Sequence, residues 1–310
     1  MRVLRPLGIG VAAISFATTA VLAATPPSGT ARQVASAVAI SPTISKVTPK
    51  VRAAIPHSIS DWITRIYPVS SNPGCITTTQ CVFGPKSAKT TVVLFGDSHA
   101  AQWLPALAPL ASANHFKLIV LWRASCHVAD VNVQYETLGF GFNGFDYCNT
   151  WLTQQIAVIG SLHPKLVLLG ERTSQVGHAD QTPFTSEAWH DGLVRTISRL
   201  KTPTTRVALF EDLFWGETIP GECLSVNLLS VQSCATSFTS PTVTGQQAAE
   251  ENAARDTNTT FIPTHQWFCT TKTCAPVVGD YITKIDQGHA SVSYVQYLTT
   301  VIKAAIKPLL

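Results

Sequence analysis

Apolar positions in this chain gather into short runs that do not alternate with polar ones: Thr91–Phe95, Phe116–Trp122, Lys165–Leu169, Thr205–Phe210 and a weaker Thr259–Ile262. A strand with one wet face alternates, so unbroken runs of this length predict strands covered on both faces. Helical or mixed stretches separate them, with helices expected near Ala100–Ala113, Phe145–Ile159, Ser186–Leu200, Pro241–Arg255 and Val292–Ile306. Strands alternating with helices predict an α/β domain, a doubly wound five-stranded parallel sheet with helices on both faces. No internal repeat is visible. In such sheets the ligand crevice lies beyond the carboxyl ends of the strands, where the strand order reverses.

The first run ends abruptly in Gly96-Asp97-Ser98-His99. Glycine breaks the strand, and Asp and Ser are favoured helix N-caps, so Ser98 is expected at a strand's carboxyl end beside a helix N-terminus. That place suits a nucleophile, and it suits a plain helix cap equally.

Upstream, Arg2 and Arg5 precede an apolar stretch from Leu7 to Ala23 with a small-residue exit, which reads as a secretory signal peptide over residues 1–24. The competing reading is an uncleaved membrane anchor. Residues 25–55, rich in Ala, Ser, Thr, Pro and Val, read as a flexible linker, leaving 56–310 as the folded domain. A secreted or otherwise extracytoplasmic protein follows, in the cell envelope if the anchor is kept. Export turns the eight cysteines into disulfide candidates. They fall in four neighbouring pairs, Cys75–Cys81, Cys126–Cys148, Cys223–Cys234 and Cys269–Cys274, and neighbour pairing is the economical choice among many connectivities. No CxxC unit or Cys/His cluster has zinc-ligand spacing, so no metal is expected. Charged residues make up 13% of the chain and its net charge is +4, without a basic block, which argues against nucleic acid as a partner.

A serine nucleophile needs a base within reach and an acid to orient that base. Of the nine histidines, His57, His115, His163, His178, His190 and His265 read as surface or capping residues. His289 differs, because Asp286 stands three residues before it, just ahead of the final helix, so both side chains can share one face of a turn. The plainer alternative makes Asp286 or Ser291 a cap for that helix. Glu171, Glu211 and Asp212 at strand ends admit a glycosidase reading, with loop-capping acids as the simpler one. Trp122, Trp215 and Trp267 at strand ends could carry a sugar ring or pack beneath loops.

Gly96-Asp97-Ser98 together with Asp286-x-x-His289 resembles the SGNH/GDSL hydrolase superfamily. Phe95-Gly96-Asp97-Ser98-His99-Ala100, with Trp103 and Pro105 behind it, is similar to the SGNH domain attached to acyltransferase-3 membrane proteins, which O-acylate extracellular polysaccharides and cell-wall glycans. Ser125-Cys126, Cys148-x-x-Trp151 and a Cys pair before the first strand fit the same subgroup, and the likeness runs from about Cys75 to the C-terminus. The resemblance implies a flavodoxin-like sheet, Ser98 as nucleophile, His289 as base and Asp286 as orienting acid, with no cofactor. It leaves His99 a structural role or one in positioning the turn. The superfamily's oxyanion hole uses the serine N–H, a glycine after the second strand and an asparagine after the third. Here Arg172 stands in the asparagine's place and Arg123-Ala124-Ser125 holds no glycine. Arg172, Ser125, Asp97 and His99 are therefore the oxyanion or substrate-binding candidates.

The implied activity is O-acyl (acetyl) transfer to cell-wall or exported polysaccharide through an acyl-serine. A carbohydrate esterase is the close alternative, and a non-catalytic glycan-binding domain a more distant one. The sequence holds no multi-span membrane domain, so transfer would call for a separate membrane acyltransferase partner that supplies acyl groups.

Overall fold

The computed structural model describes residues 28–63, 81–131, 144–173, 184–238 and 245–310. Its centre is a six-stranded sheet of β1 (Cys81–Phe83), β2 (Thr90–Gly96), β3 (Phe116–Trp122), β4 (Leu166–Gly170), β5 (Arg206–Phe210) and β7 (Thr260–Ile262), in the order β1-β3-β2-β4-β5-β7. The five expected strands are parallel, and β1 adds an antiparallel edge on β3, with Cys81 opposite Val120. Three residues carry no readable period, which is why this edge was not legible. A further short strand, β6 (Thr236–Ser237), pairs outside the sheet with Thr273–Cys274.

The reason for the missing alternation is plain in β2. Val92 and Leu94 enter a core under the Leu104–Ala113 and C-terminal helices, while Val93 and Phe95 enter a second core with Trp151, Leu152, Trp189 and Leu193. All four β2 residues are wholly buried. β3 and β4 divide the same way, Leu118, Val120, Leu166 and Leu168 to one face and Ile119, Leu121, Val167 and Leu169 to the other. Helices Gly144–Leu162, Ser186–Leu200 and Gly245–Asp256 accompany the second core. The helix expected over Ala100–Ala113 is split into Ser98–Ala101 and Leu104–Ala113, with Pro105 opening the second piece. The last helix likewise divides at Leu298.

The N-terminal stretch departs from the flexible linker expected over 25–55. Ala31–Ile40 is a helix whose Thr30 and Gln33 form a capping box, and Pro49–Ala54 is a second one capped by Thr48. Val34 and Val38, four apart on one helix face, are buried against the sheet's first core, and Val51 is wholly buried in a satellite cluster with Leu224, Val231 and Ile282. Backbone bonds stitch the arm down, from Gly29 N–H to the Tyr297 carbonyl (2.9 Å), Val47 N–H to Leu228 (3.0 Å) and Val231 N–H to Ser45 (3.1 Å). Low charge and many Ala and Ser made the segment look like a spacer; its few valines are what bind it.

Disulfides join Cys126–Cys148, Cys223–Cys234 and Cys269–Cys274, as neighbour pairing expected. The expected signal segment and the Cys75–Cys81 pairing lie outside the described residues. Among the described residues, no helix is long and apolar enough to cross a membrane.

Candidate active site

The parallel strands run in the order β3-β2-β4-β5-β7, so the chain leaves β2 toward β3 and leaves β4 toward β5 in the opposite direction, and the crevice opens between the carboxyl ends of β2 and β4. Two glycines bring the chain together there. Gly96 has φ +151°, and a Cβ on it would fall 1.7 Å from the Gly170 carbonyl oxygen; a Cβ on Gly170 would fall 2.9 Å from Ala100 Cα. The ends of β2 and β4 and the start of the Ser98 helix thus meet backbone to backbone. Asp97 caps that helix, accepting from His99 N–H (2.8 Å) with one oxygen and from Arg172 N–H (2.9 Å) with the other. His127 Nδ1 lies 3.3 Å from the second oxygen. Burial alone would raise the Asp97 pKa, but His127, His99 and the Arg172 N–H outweigh it and hold the group below its ordinary value.

Ser98 is partly exposed, and its Oγ lies 2.8 Å from His289 Nε2. His289 Nδ1 lies 2.8 Å from Asp286 Oδ2, while Asp286 Oδ1 accepts from the N–H groups of Gly288 (2.8 Å) and His289 (2.7 Å). The carboxylate therefore accepts a hydrogen bond from Nδ1–H and leaves the Nε2 lone pair facing the serine hydroxyl. Burial opposes ionisation of Asp286, yet its bonds to the His289 ring and to the two backbone N–H groups depress its pKa far below the usual carboxylate range.

The turn that carries this pair is braced from beneath. Lys284 is buried, donates from Nζ to the carbonyls of Phe214 (2.9 Å) and Gln287 (2.8 Å), and lies over the Phe214 ring. Its burial lowers its pKa to about 7. Gly216 N–H donates to the Gln287 carbonyl (2.7 Å), and Gln102 Oε1 accepts from Ala290 N–H (2.8 Å). At Gly288 a Cβ would fall 2.7 Å from the Trp215 ring, so only glycine lets that indole close on the turn.

Below the exposed line lies a second His–Asp pair. His99 Nδ1 meets Asp212 Oδ1 at 2.5 Å, and the His99 and His289 ring centroids are 4.5 Å apart. Asp212 also accepts from Leu213 N–H (2.7 Å) and from the N–H (2.8 Å) and hydroxyl (3.0 Å) of Thr173. Burial disfavours a charged His99, but Asp212 and Asp97 prevail and raise its pKa. Glu171 and Glu250 are buried nearby, and burial with the fields of neighbouring carboxylates pushes both pKa values well above the ordinary carboxylate value.

The structure therefore brings Ser98, His289 and Asp286 together, with Asp97 and His99 directly beneath. Arg172 follows β4 by two residues, with its guanidinium 4.5 Å from the Trp215 ring centroid and close enough to His99 for its charge to be felt there. Ser125 follows the end of β3 by three residues. It holds a left-handed turn (φ 62°) beside Cys126, and among the described residues it makes no hydrogen bond to the Ser98 cluster. The two-carboxylate reading fails. Glu171 is sealed in and accepts from the N–H groups of Val128 and Ala129 (both 2.8 Å), Glu211 binds His265, and Asp212 binds His99. Trp122 and Trp267 belong to the core, and only Trp215 of the three strand-end tryptophans borders the site. Trp62, Gln102, His127 and Lys284 were not singled out from the sequence. Each acts across a long separation, with no local motif to mark it.

The fold is similar to that of the periplasmic domain of a lipopolysaccharide acetyltransferase from Salmonella ser. Paratyphi A, at 16% identity and a TM-score of 0.55, covering 84% of this chain and 97% of that one. A carbohydrate acetylesterase from Sinorhizobium meliloti aligns at 13% identity and TM-score 0.46, over 72% of this chain and 100% of its own. A GDSL-like lipase from Bacteroides thetaiotaomicron aligns at 15% and 0.43, over 73% and 92%. At these identities the likeness concerns the fold alone. No curated protein sequence matches the chain. The family model of the SGNH domain fused to AT3 domains matches residues 69–304, which hold every member of the Ser98–His289–Asp286 cluster, and the chain belongs to that family.

Proposed function

We propose that this protein is an extracytoplasmic serine O-acyltransferase that moves an acetyl group onto a cell-wall or exported polysaccharide. The observation that carries the reading is the unbroken hydrogen-bond line from Ser98 Oγ through both nitrogens of His289 to Asp286, 2.8 Å at each step, on a partly exposed serine at the crevice. A helix cap alone requires no such line, which also weighs against a non-catalytic glycan-binding role. Ser98 Oγ attacks the acyl carbonyl carbon as His289 Nε2 takes the hydroxyl proton, and Asp286 stabilises the imidazolium that forms. The Ser98 N–H, in the first turn of its helix where N–H groups lack intrahelical partners, and the Arg172 guanidinium supply the developing oxyanion with donors. His289 then returns the proton to the leaving oxygen, and an acyl-serine remains.

Resolution of that intermediate by a sugar hydroxyl is transfer, and by water it is ester hydrolysis. The partial exposure of Ser98 favours keeping the esterase as the second reading. Three disulfides support an oxidising compartment outside the cytoplasm. Transfer requires an activated acyl donor there, and a separate membrane acyltransferase is the proposed source.

The test feeds the full, disulfide-bonded chain an activated acetyl ester with and without oligosaccharide acceptors, beside Ser98→Ala. Free acetate and acetylated sugar are followed by mass spectrometry. Acetylated sugar that disappears with Ser98→Ala supports transfer, and acetate alone makes the protein an esterase. Equal behaviour of the two proteins would remove the enzymatic reading.

A further inference from the structure

Residues 28–63 lie ahead of the stretch that the SGNH family model matches, yet their end reaches the catalytic histidine. The Asp61 carbonyl accepts from Val292 N–H (2.7 Å) and its Oδ2 from Ser293 N–H (3.0 Å). These are the first two N–H groups of the helix that begins three residues after His289, groups that a helix leaves without partners of its own. Ile63, on the other side, is 1% exposed. Held between two anchored neighbours, Trp62 stays partly exposed and sets its ring 4.9 Å from that of His289, at 68°. Among the described residues, His289 is its one aromatic neighbour. Trp215 borders the same turn at Gly288, but Arg172 lies over its ring.

Resting on the acyl-serine reading above, we propose that Trp62 is a specificity-determining residue, the platform on which an acceptor pyranose lies while one of its hydroxyls reaches His289 Nε2. A sugar ring presents a face of C–H groups to an indole, and a rigid indole orients it at little entropic cost. The acceptor O–H gives its proton to Nε2, its oxygen bonds to the acyl carbon, the bond from that carbon to Ser98 Oγ breaks, and the proton passes to Oγ. Water needs no platform, so Trp62 biases the acyl group toward sugar and away from hydrolysis.

The experiment loads the full chain with an aryl acetate and offers a panel of hexose and N-acetylhexosamine disaccharides. It records the burst of phenol that reports acylation, and the ratio of acetylated sugar to acetate. For Trp62→Ala the burst rate and its pH profile should match wild type while the ratio falls about tenfold, as the loss of one aromatic contact implies. Trp62→Phe should restore most of the ratio. An unchanged ratio in Trp62→Ala overturns the proposal. So does a burst that slows together with transfer, since Trp62 would then merely steady His289. Wild type that acylates Ser98 and transfers to none of the sugars overturns it too. A wild type without a Ser98-dependent burst removes the acyl-serine reading itself, and this proposal with it.

Discussion

The close backbone meeting at the head of the sheet gives a prediction that touches no reacting group. In Gly170→Ala the new methyl would lie 2.9 Å from Ala100 Cα and 3.3 Å from Ala100 Cβ and N. Carbon atoms settle at about 3.5–4.0 Å, so the contact is short by roughly 0.6–1 Å. The clash is with backbone, which cannot swing aside as a side-chain tip would. Gly170 sits on a central strand paired with β2 at Gly96, so the strand is the stiffer partner and the Ser98–Ala101 helix must shift. Overpacking of this kind costs about 1–3 kcal/mol, enough to lower the melting temperature by several degrees without unfolding the domain. The larger effect is on chemistry. Ser98 is two residues from Ala100, and misplacing a reacting group by about 1 Å can cost on the order of a hundredfold in rate. The assay is kcat/KM on an aryl acetate, with circular dichroism melting as the control for folding. Gly170→Ala that melts lower yet hydrolyses the ester at the wild-type rate would refute the argument that this contact positions the serine.

Replacing Asp286 by Asn removes the acceptor that selects the Nδ1–H tautomer of His289, and kcat is expected to fall by about three to four orders of magnitude, read with the same aryl acetate. Lys284 carries a pKa of about 7 against an ordinary 10.5. Above the lower value the unfolded chain holds the extra proton, so this group adds stability as pH rises from about 7 toward 10, by at most about 1.4 kcal/mol per pH unit. Urea midpoints measured over that interval should climb more steeply in wild type than in Lys284→Met, and parallel slopes would contradict this. Val51→Ala, in the arm's wholly buried anchor, should cost about 1.5–3 kcal/mol in urea unfolding, whereas a residue in a loose linker would cost nothing measurable.

How much of this was legible depended on whether the signal was local. The runs at Val92–Phe95 and Leu166–Leu169 declare themselves because every residue in them is apolar, a direct consequence of cores on both faces. Asp97 and Ser98 stood out because a helix cap and a strand end follow known residue preferences over a few positions. Asp286 and His289 could be paired because three residues span one turn. The arm's order was not legible, since its two helices of weak residues are held by contacts with residues 220–297 and not by their own composition.

The sequence by itself determined the α/β class, the run of parallel strands and the short list of reactive side chains, all properties carried by residues close along the chain. Only the tertiary structure decided that Ser98 and His289, 191 residues apart, stand 2.8 Å from each other. It alone set His99 on Asp212 and brought Trp62 beside the imidazole. Periodicity and capping are short-range chemistry and can be read in one dimension. Which carboxyls are sealed from water, and which indole borders the site, depends on surfaces that meet only once the sheet has closed between its two helical layers.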